Sequence, residues 1–107
     1  MNDDASVEIG VTDLAGRIES GDAQVVDVRT DEEWAEERIA GSRHIGLNEL
    51  TEQAESLDRE VAVVFVCSGG RRSAMAAEAF RLSGYDAYSL EGGLAAWSEQ
   101  GRALDTA

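Results

Sequence analysis

Residues 61–66, Val-Ala-Val-Val-Phe-Val, form an apolar run without a single polar interruption. A strand with one face in water alternates polar and apolar residues, whereas one covered on both faces reads as a continuous apolar stretch. Six residues is strand length rather than helix length. The run therefore calls for a sheet with a layer of other structure on each side. Helices that return the chain between parallel strands supply such layers.

The rest of the chain supplies them. "VEIG" at 7–10, "AQVVDV" at 23–28, "SRHIG" at 42–46 and "YDAYSL" at 85–90 read as strands, the last of these as the final strand of the chain. Between them, "TDLAGRIESG" places Leu14 and Ile18 on one helical face, with Thr12 as N-cap and Gly21 as stop. "TDEEWAEER" opens on Thr30 with Glu33 three residues later, the spacing of a capping box. "LNELTEQAESL" sets Leu47, Leu50, Ala54 and Leu57 on one face of a helix. The segment from Ser73 is apolar over most of its circumference, with only Glu78 and Arg81 clearly polar, so a well-buried helix is expected there. "GGLAAWSEQG" reads as the last helix. Strands alternating with helices predict an α/β fold of three layers, with a mostly parallel central sheet flanked by helices. With 107 residues and neither repeats nor linkers, a single domain over 1–107 is expected, with residues 1 to about 5 as a flexible N-terminal segment.

Cys67, the only cysteine, ends the apolar run and is followed by Ser68, Gly69, Gly70, Arg71, Arg72 and Ser73. In parallel sheets ligands bind beyond the carboxyl ends of the strands. The two glycines let the backbone turn tightly, so that successive N–H groups can line a nest for an anion. The following helix adds the positive end of its dipole, and the arginines add formal charge. All three effects favour a thiolate, so Cys67 is expected to ionise below the free-thiol value near 8.5. A free cysteine is most often a small buried hydrophobe. The ordered succession of strand, thiol, glycines, cations and helix favours a reactive one.

Which reaction such a loop serves is narrowed by what is missing. Cys-His acyl transfer needs a base beside the thiol, and the one histidine, His44, lies in a different segment. One cysteine and one histidine do not make a metal site, and a dithiol redox motif needs a second cysteine. Attack on a phosphoryl group or on a sulfane sulfur remains. The phosphatase signature has five residues between cysteine and arginine and would need an arginine at 73, where this chain has serine. The shorter loop suits a smaller group carried on the cysteine.

Several motifs in order resemble the rhodanese-like domain family over nearly the whole chain. Asp27-Val28-Arg29, Glu33-Trp34 and Gly41-Ser42-Arg43-His44-Ile45 match its first motif. Cys67, Gly70, Arg72 and Ser73 match its active-site loop, and Gly84-Tyr85 and Gly92-Gly93 with Trp97 match the turns and helix that follow. Glu37-Arg38-Ile39 departs from the family's Gly-His-Ile, and Gly46 replaces its proline. The resemblance implies a five-stranded parallel sheet and sulfurtransferase activity, in which Cys67 takes a sulfane sulfur from a donor such as thiosulfate as a persulfide. It then passes the sulfur to a thiol, to cyanide or to a sulfur-relay protein, and the resemblance implies no metal or organic cofactor. It implies that the amides of Ser68, Gly69 and Gly70, with Ser73, stabilise the transferred sulfur, that Arg72 braces the loop or attracts an anionic donor, and that Arg71 is a solvated entrance charge. Asp27 accepts from the active loop, pairs with an arginine at the floor of the site, or simply caps local backbone at the strand end; Arg29 and Glu33 are expected to pair with each other, and Trp34 and Trp97 are expected to pack. The alternatives are a non-catalytic binding module, or a phosphatase or arsenate reductase on the same fold.

Twenty-two acidic residues stand against nine basic ones, all arginine, for a net charge of −13. Nucleic acid and anionic membrane surfaces are disfavoured as partners, because phosphates bind clustered cations. A single cysteine and the polar start "MNDDASVE" fit a reducing cytoplasm rather than export. The acidic surface fits a monomer, and the absence of lysine favours a high-salt cytoplasm such as that of a halophilic archaeon over an ordinary acidic domain. Salt screens self-repulsion, so the melting temperature should rise between low and molar KCl. A melting temperature independent of KCl would contradict this.

Overall fold

In a computed structural model, which describes residues 7–106, the apolar run becomes the middle strand of a five-stranded sheet. The strands of this sheet are β1 (Glu8–Ile9), β2 (Ala23–Asp27), β4 (Arg43–His44), β5 (Ala62–Val66) and β6 (Ala87–Leu90). They lie in the order β1-β6-β5-β2-β4 and every pair is parallel. The helices are α1 (Val11–Ser20), α2 (Asp31–Glu36), α3 (Leu50–Gln53), α4 (Arg71–Leu82) and α5 (Gly93–Glu99). The segment expected to be flexible, residues 1 to about 5, lies outside the described residues. Among the described residues no helix is long and apolar enough to cross a membrane.

All five residues of β5 are buried, and the period of two divides them between two cores. Val63 and Phe65 face one layer, made by Ala76, Ala77 and Phe80 of α4 and by Leu50 and Leu57. Val64 and Val66 face the other, made by Leu14 of α1 and by Leu94 and Trp97 of α5. The same alternation carries Cys67 to the α4 side, where it joins the first core. Strand periodicity alone thus aims the thiol at the start of α4.

The structure corrects several expectations. Helix α1 starts at Val11 with Gly10 as N-cap and no side-chain cap, so Thr12 is an ordinary first-turn residue, while Gly21 closes the helix in the left-handed region as expected. The 47–57 segment is not one helix. It is a 3-10 turn at Leu47–Glu49, the single turn α3, and a second 3-10 turn at Ala54–Ser56. Its carbonyls are diverted: Gln53 O accepts from Ser56 Oγ at 2.6 Å and Ala54 O from Tyr85 Oη at 2.8 Å. Helix α4 begins at Arg71 rather than Ser73 and buries only one face, leaving Met75 62% and Leu82 91% exposed. "YDAYSL" is not the last strand, because β7 (Asp105–Thr106) pairs antiparallel with β3 (Glu37–Arg38) in a small second sheet. The capping box is present as read, with Glu33 N donating to Thr30 Oγ1 and Thr30 N to Glu33 Oε1.

One-sided burial of α4 has a measurable consequence. Phe65→Ala, at the centre of the first core, should cost about 3–5 kcal/mol in urea denaturation. Leu82→Ser should change stability by no more than about 0.5 kcal/mol. Comparable losses from both would contradict the burial described here.

Candidate active site

The loop after β5 owes its shape to a second helix. The first N–H groups of any helix lack partners within it. In α5 two of these are satisfied by the cysteine loop: Leu94 N donates to Cys67 O at 2.9 Å and Ala95 N to Ser68 O at 3.1 Å. A trans peptide points its N–H opposite its carbonyl. Pulling Ser68 O outward to α5 therefore turns the Gly69 N–H inward. Such close approach tolerates no side chain at Gly93, where a Cβ would lie 2.5 Å from Ser68 O. Gly70 completes the turn at φ +104, in the region that favours glycine, and is the N-cap of α4.

The amides converge on the sulfur. Gly70 N donates to Cys67 Sγ at 3.1 Å and Ser73 N at 3.4 Å, and Ser73 Oγ lies 3.4 Å away. Cys67 is only 1% exposed. Burial pushes its thiol up, but the Ser73 hydroxyl and the amides of Ser73, Gly70 and Gly69 together outweigh burial and hold it below the ordinary value. The leading supports of a thiolate are thus hydrogen bonds, as the glycine-rich sequence suggested, rather than guanidinium charge.

The two arginines of the loop differ. Arg71 is exposed, as expected of an entrance charge. Arg72 is held by Glu33 in a two-bond ion pair, Nη1 to Oε1 at 2.9 Å and Nη2 to Oε2 at 3.2 Å. Ser68 Oγ donates to the same carboxylate at 3.1 Å. Arg72 therefore braces the loop, and its charge is compensated. The expected Arg29–Glu33 pair does not form. Arg29 instead lies against Asp27, with Nε 2.9 Å from Oδ1 and Nη2 2.9 Å from Oδ2, in a pair buried at 4% and 0% exposure. Arg29 N donates to the same carboxylate and Nη2 to Glu37 O, so the buried charges are fully bonded. Of the roles open to Asp27, pairing with an arginine and capping local backbone, at Arg29 N, are both observed.

His44 is structural: its Nε2 donates to Arg29 O at 2.8 Å, and its ring stacks on Trp34 at 4.9 Å. Trp34 carries Arg38 at 4.9 Å, while Trp97 is buried, so both tryptophans pack as expected. Two clefts flank the loop. One of 310 Å³ is lined by Thr30, Asp31, Leu47 and Arg72. The other, of 450 Å³, is lined by Arg29, Glu37, Ser68 and Leu94. What the sequence reading missed is Glu33 as the brace of the loop and the α5 amides behind it. For Glu33 the only local signal was the capping box, which fixes the carboxylate at the start of α2.

Arg72 first, opposed by burial and helped by Thr30 N and Ser68 Oγ, lowers the Glu33 carboxyl from the ordinary 4.5 to about 2. A folded-state value below the unfolded one gives stability that is present above the unfolded value and is lost as pH falls through the folded one. The wild-type protein should therefore melt above Glu33→Gln at pH 7, and the gap should close as pH falls from 4.5 towards 2. A gap that does not change with pH would contradict the ion pair.

The rhodanese-like domain model matches residues 10–100. The chain is 37% identical over 84 residues to the thiosulfate sulfurtransferase GlpE of Pseudomonas paraeruginosa, covering 78% of this chain and 76% of that protein. It is 36% identical over 93 residues to a tRNA sulfurtransferase of Desulfurococcus amylolyticus, spanning 85% of this chain but 18% of that longer protein. Among solved structures, a rhodanese-related protein from Thermoplasma volcanium superposes with a TM-score of 0.85 at 33% identity, covering 92% of this chain and 96% of that one. With a five-stranded parallel sheet between helical layers and relatives that are sulfurtransferases, this chain belongs to the rhodanese-like domain family.

Proposed function

We propose that the protein is a sulfurtransferase that carries a sulfane sulfur on Cys67. The observation that carries this reading is the convergence of the Gly70 and Ser73 amides and the Ser73 hydroxyl on one recessed sulfur, with no histidine bonded to it. Such a site stabilises an anion at the sulfur without a general base, which suits a nucleophile that must be ionised at rest and must also be a good leaving group.

With thiosulfate as donor, the Cys67 thiolate attacks the outer sulfur. A new S–S bond forms, the donor's S–S bond breaks, and sulfite leaves with the electron pair. In the second half an acceptor thiolate or cyanide attacks the outer sulfur of the persulfide, and Cys67 departs as thiolate into the donors that held it. The same amides serve both halves, because negative charge returns to this recess each time. Exposed Arg71 is the entrance cation, and Arg72, tied to Glu33, keeps Ser68 and the turn in place. The acceptor class, small thiol, cyanide or sulfur-relay protein, is set by what can approach the recess.

Incubation with thiosulfate followed by intact-mass measurement should show one added sulfur atom. It should be absent in Cys67→Ser and be removed by cyanide with release of thiocyanate. Turnover of a phosphate ester without any sulfur adduct would overturn the reading.

A further inference from the structure

Ser89 is a polar residue in an apolar layer. On β6 the period of two places it beside Ala87 on the α4 face, in register with Phe65 of β5, and it is 0% exposed. A hydroxyl buried among such neighbours is costly unless it is hydrogen-bonded. Among the described residues its side chain has one partner, Ser73 Oγ at 2.7 Å, and Ser73 Oγ in turn lies 3.4 Å from Cys67 Sγ. Three side chains from β5, α4 and β6 thus form a chain that ends on the sulfur.

The proton count gives this chain a direction. Each hydroxyl has one proton to donate. If Ser73 donated to Ser89, the Ser89 proton would be buried without an acceptor and the sulfur would lose a donor. If Ser89 donates to Ser73, the Ser73 proton is free to point at Sγ, and both protons are used. Only the second arrangement leaves no buried donor unmatched, in keeping with the absence of any unpartnered buried side-chain nitrogen or oxygen among the described residues.

We propose that Ser89 is a positioning residue that orients the Ser73 hydroxyl toward Cys67 Sγ and thereby keeps the sulfur in its reactive, ionised form. Ser89 never meets substrate; it acts through Ser73. Against the upward push of burial, the Ser73 hydroxyl leads the contributions that lower the Cys67 thiol, so its orientation is where a remote residue has most leverage. This inference rests on the reading of Cys67 as a thiolate nucleophile.

The test uses the single cysteine as its own reporter, through the pH dependence of its alkylation by iodoacetamide in the intact chain. Ser89→Ala should move the midpoint upward and slow alkylation at pH 6.5 by about tenfold, the lower end of the worth of one hydrogen bond to a charged group. Ser73→Ala should move it at least as far, and Ser73→Ala/Ser89→Ala no further than Ser73→Ala alone, since Ser89 works only through Ser73. A volume-matched pair guards against a packing effect: Ser89→Thr should keep the wild-type midpoint and Ser89→Val should raise it. An unmoved midpoint in Ser89→Ala, additive shifts in the double variant, or equal behaviour of Thr and Val would overturn the proposal. A wild-type midpoint like that of free cysteine would instead overturn the thiolate reading beneath it.

Discussion

The structure depends on where the peptide groups between Cys67 and Gly70 point. The Cys67 and Ser68 carbonyls are claimed by the first amides of α5, at 2.9 and 3.1 Å, which turns the Gly69 N–H toward the sulfur, and the Gly70 N–H follows it at 3.1 Å. The loop's share of the site follows from that division, and Ser73 at the start of α4 adds its hydroxyl and amide. A helix start that would otherwise be satisfied by water is used to hold the loop, and the loop's own donors are freed for an anion. Gly93, where no side chain fits, and Gly70, in the left-handed region, are the two points at which the backbone permits it.

This arrangement also assigns the charges. In a chain with net charge −13 the arginines near the sulfur are scarce, and two of them are already paired, Arg29 with Asp27 and Arg72 with Glu33. Both act as braces: one ties the end of β2 to β3 through Glu37 O, and the other ties the thiol loop to the first turn of α2 while its guanidinium also faces Cys67. Sulfur stabilised by contact hydrogen bonds is also robust to salt. At molar ionic strength charges interact over about 3 Å, which weakens a distant guanidinium but leaves a donated N–H in place. A loop built on amides suits a surface this acidic better than one built on cations would.

Much of this was legible because it is local. The unbroken apolar run at 61–66, the cysteine at its end and the glycines after it identify the central strand and the anion nest from adjacent residues. The Thr30–Glu33 capping box is visible for the same reason. What could not be read depends on tertiary register. Glu33 and Arg72 are 39 residues apart, and nothing in either segment names the other. Leu47, Leu50, Ala54 and Leu57 share a face in a helix, but the same spacing survives when the segment breaks into single turns, and only the distant Tyr85 shows why the carbonyls diverge. The pair β3–β7 rests on two residues per strand, too few to carry any alternation. The apolar composition of α4 predicted a well-buried helix, but small residues such as Ala76 and Ala77 pack one face closely while Met75 and Leu82 stay in water.

The claim that the amides hold Cys67 ionised is tested most directly by ultraviolet titration of the thiolate absorbance in the unmodified protein. With one cysteine in the chain the signal belongs to a single group. A midpoint clearly below that of free cysteine, near 8.5, is the predicted result. A midpoint at or above it would show that burial prevails over the donated hydrogen bonds and would contradict the account.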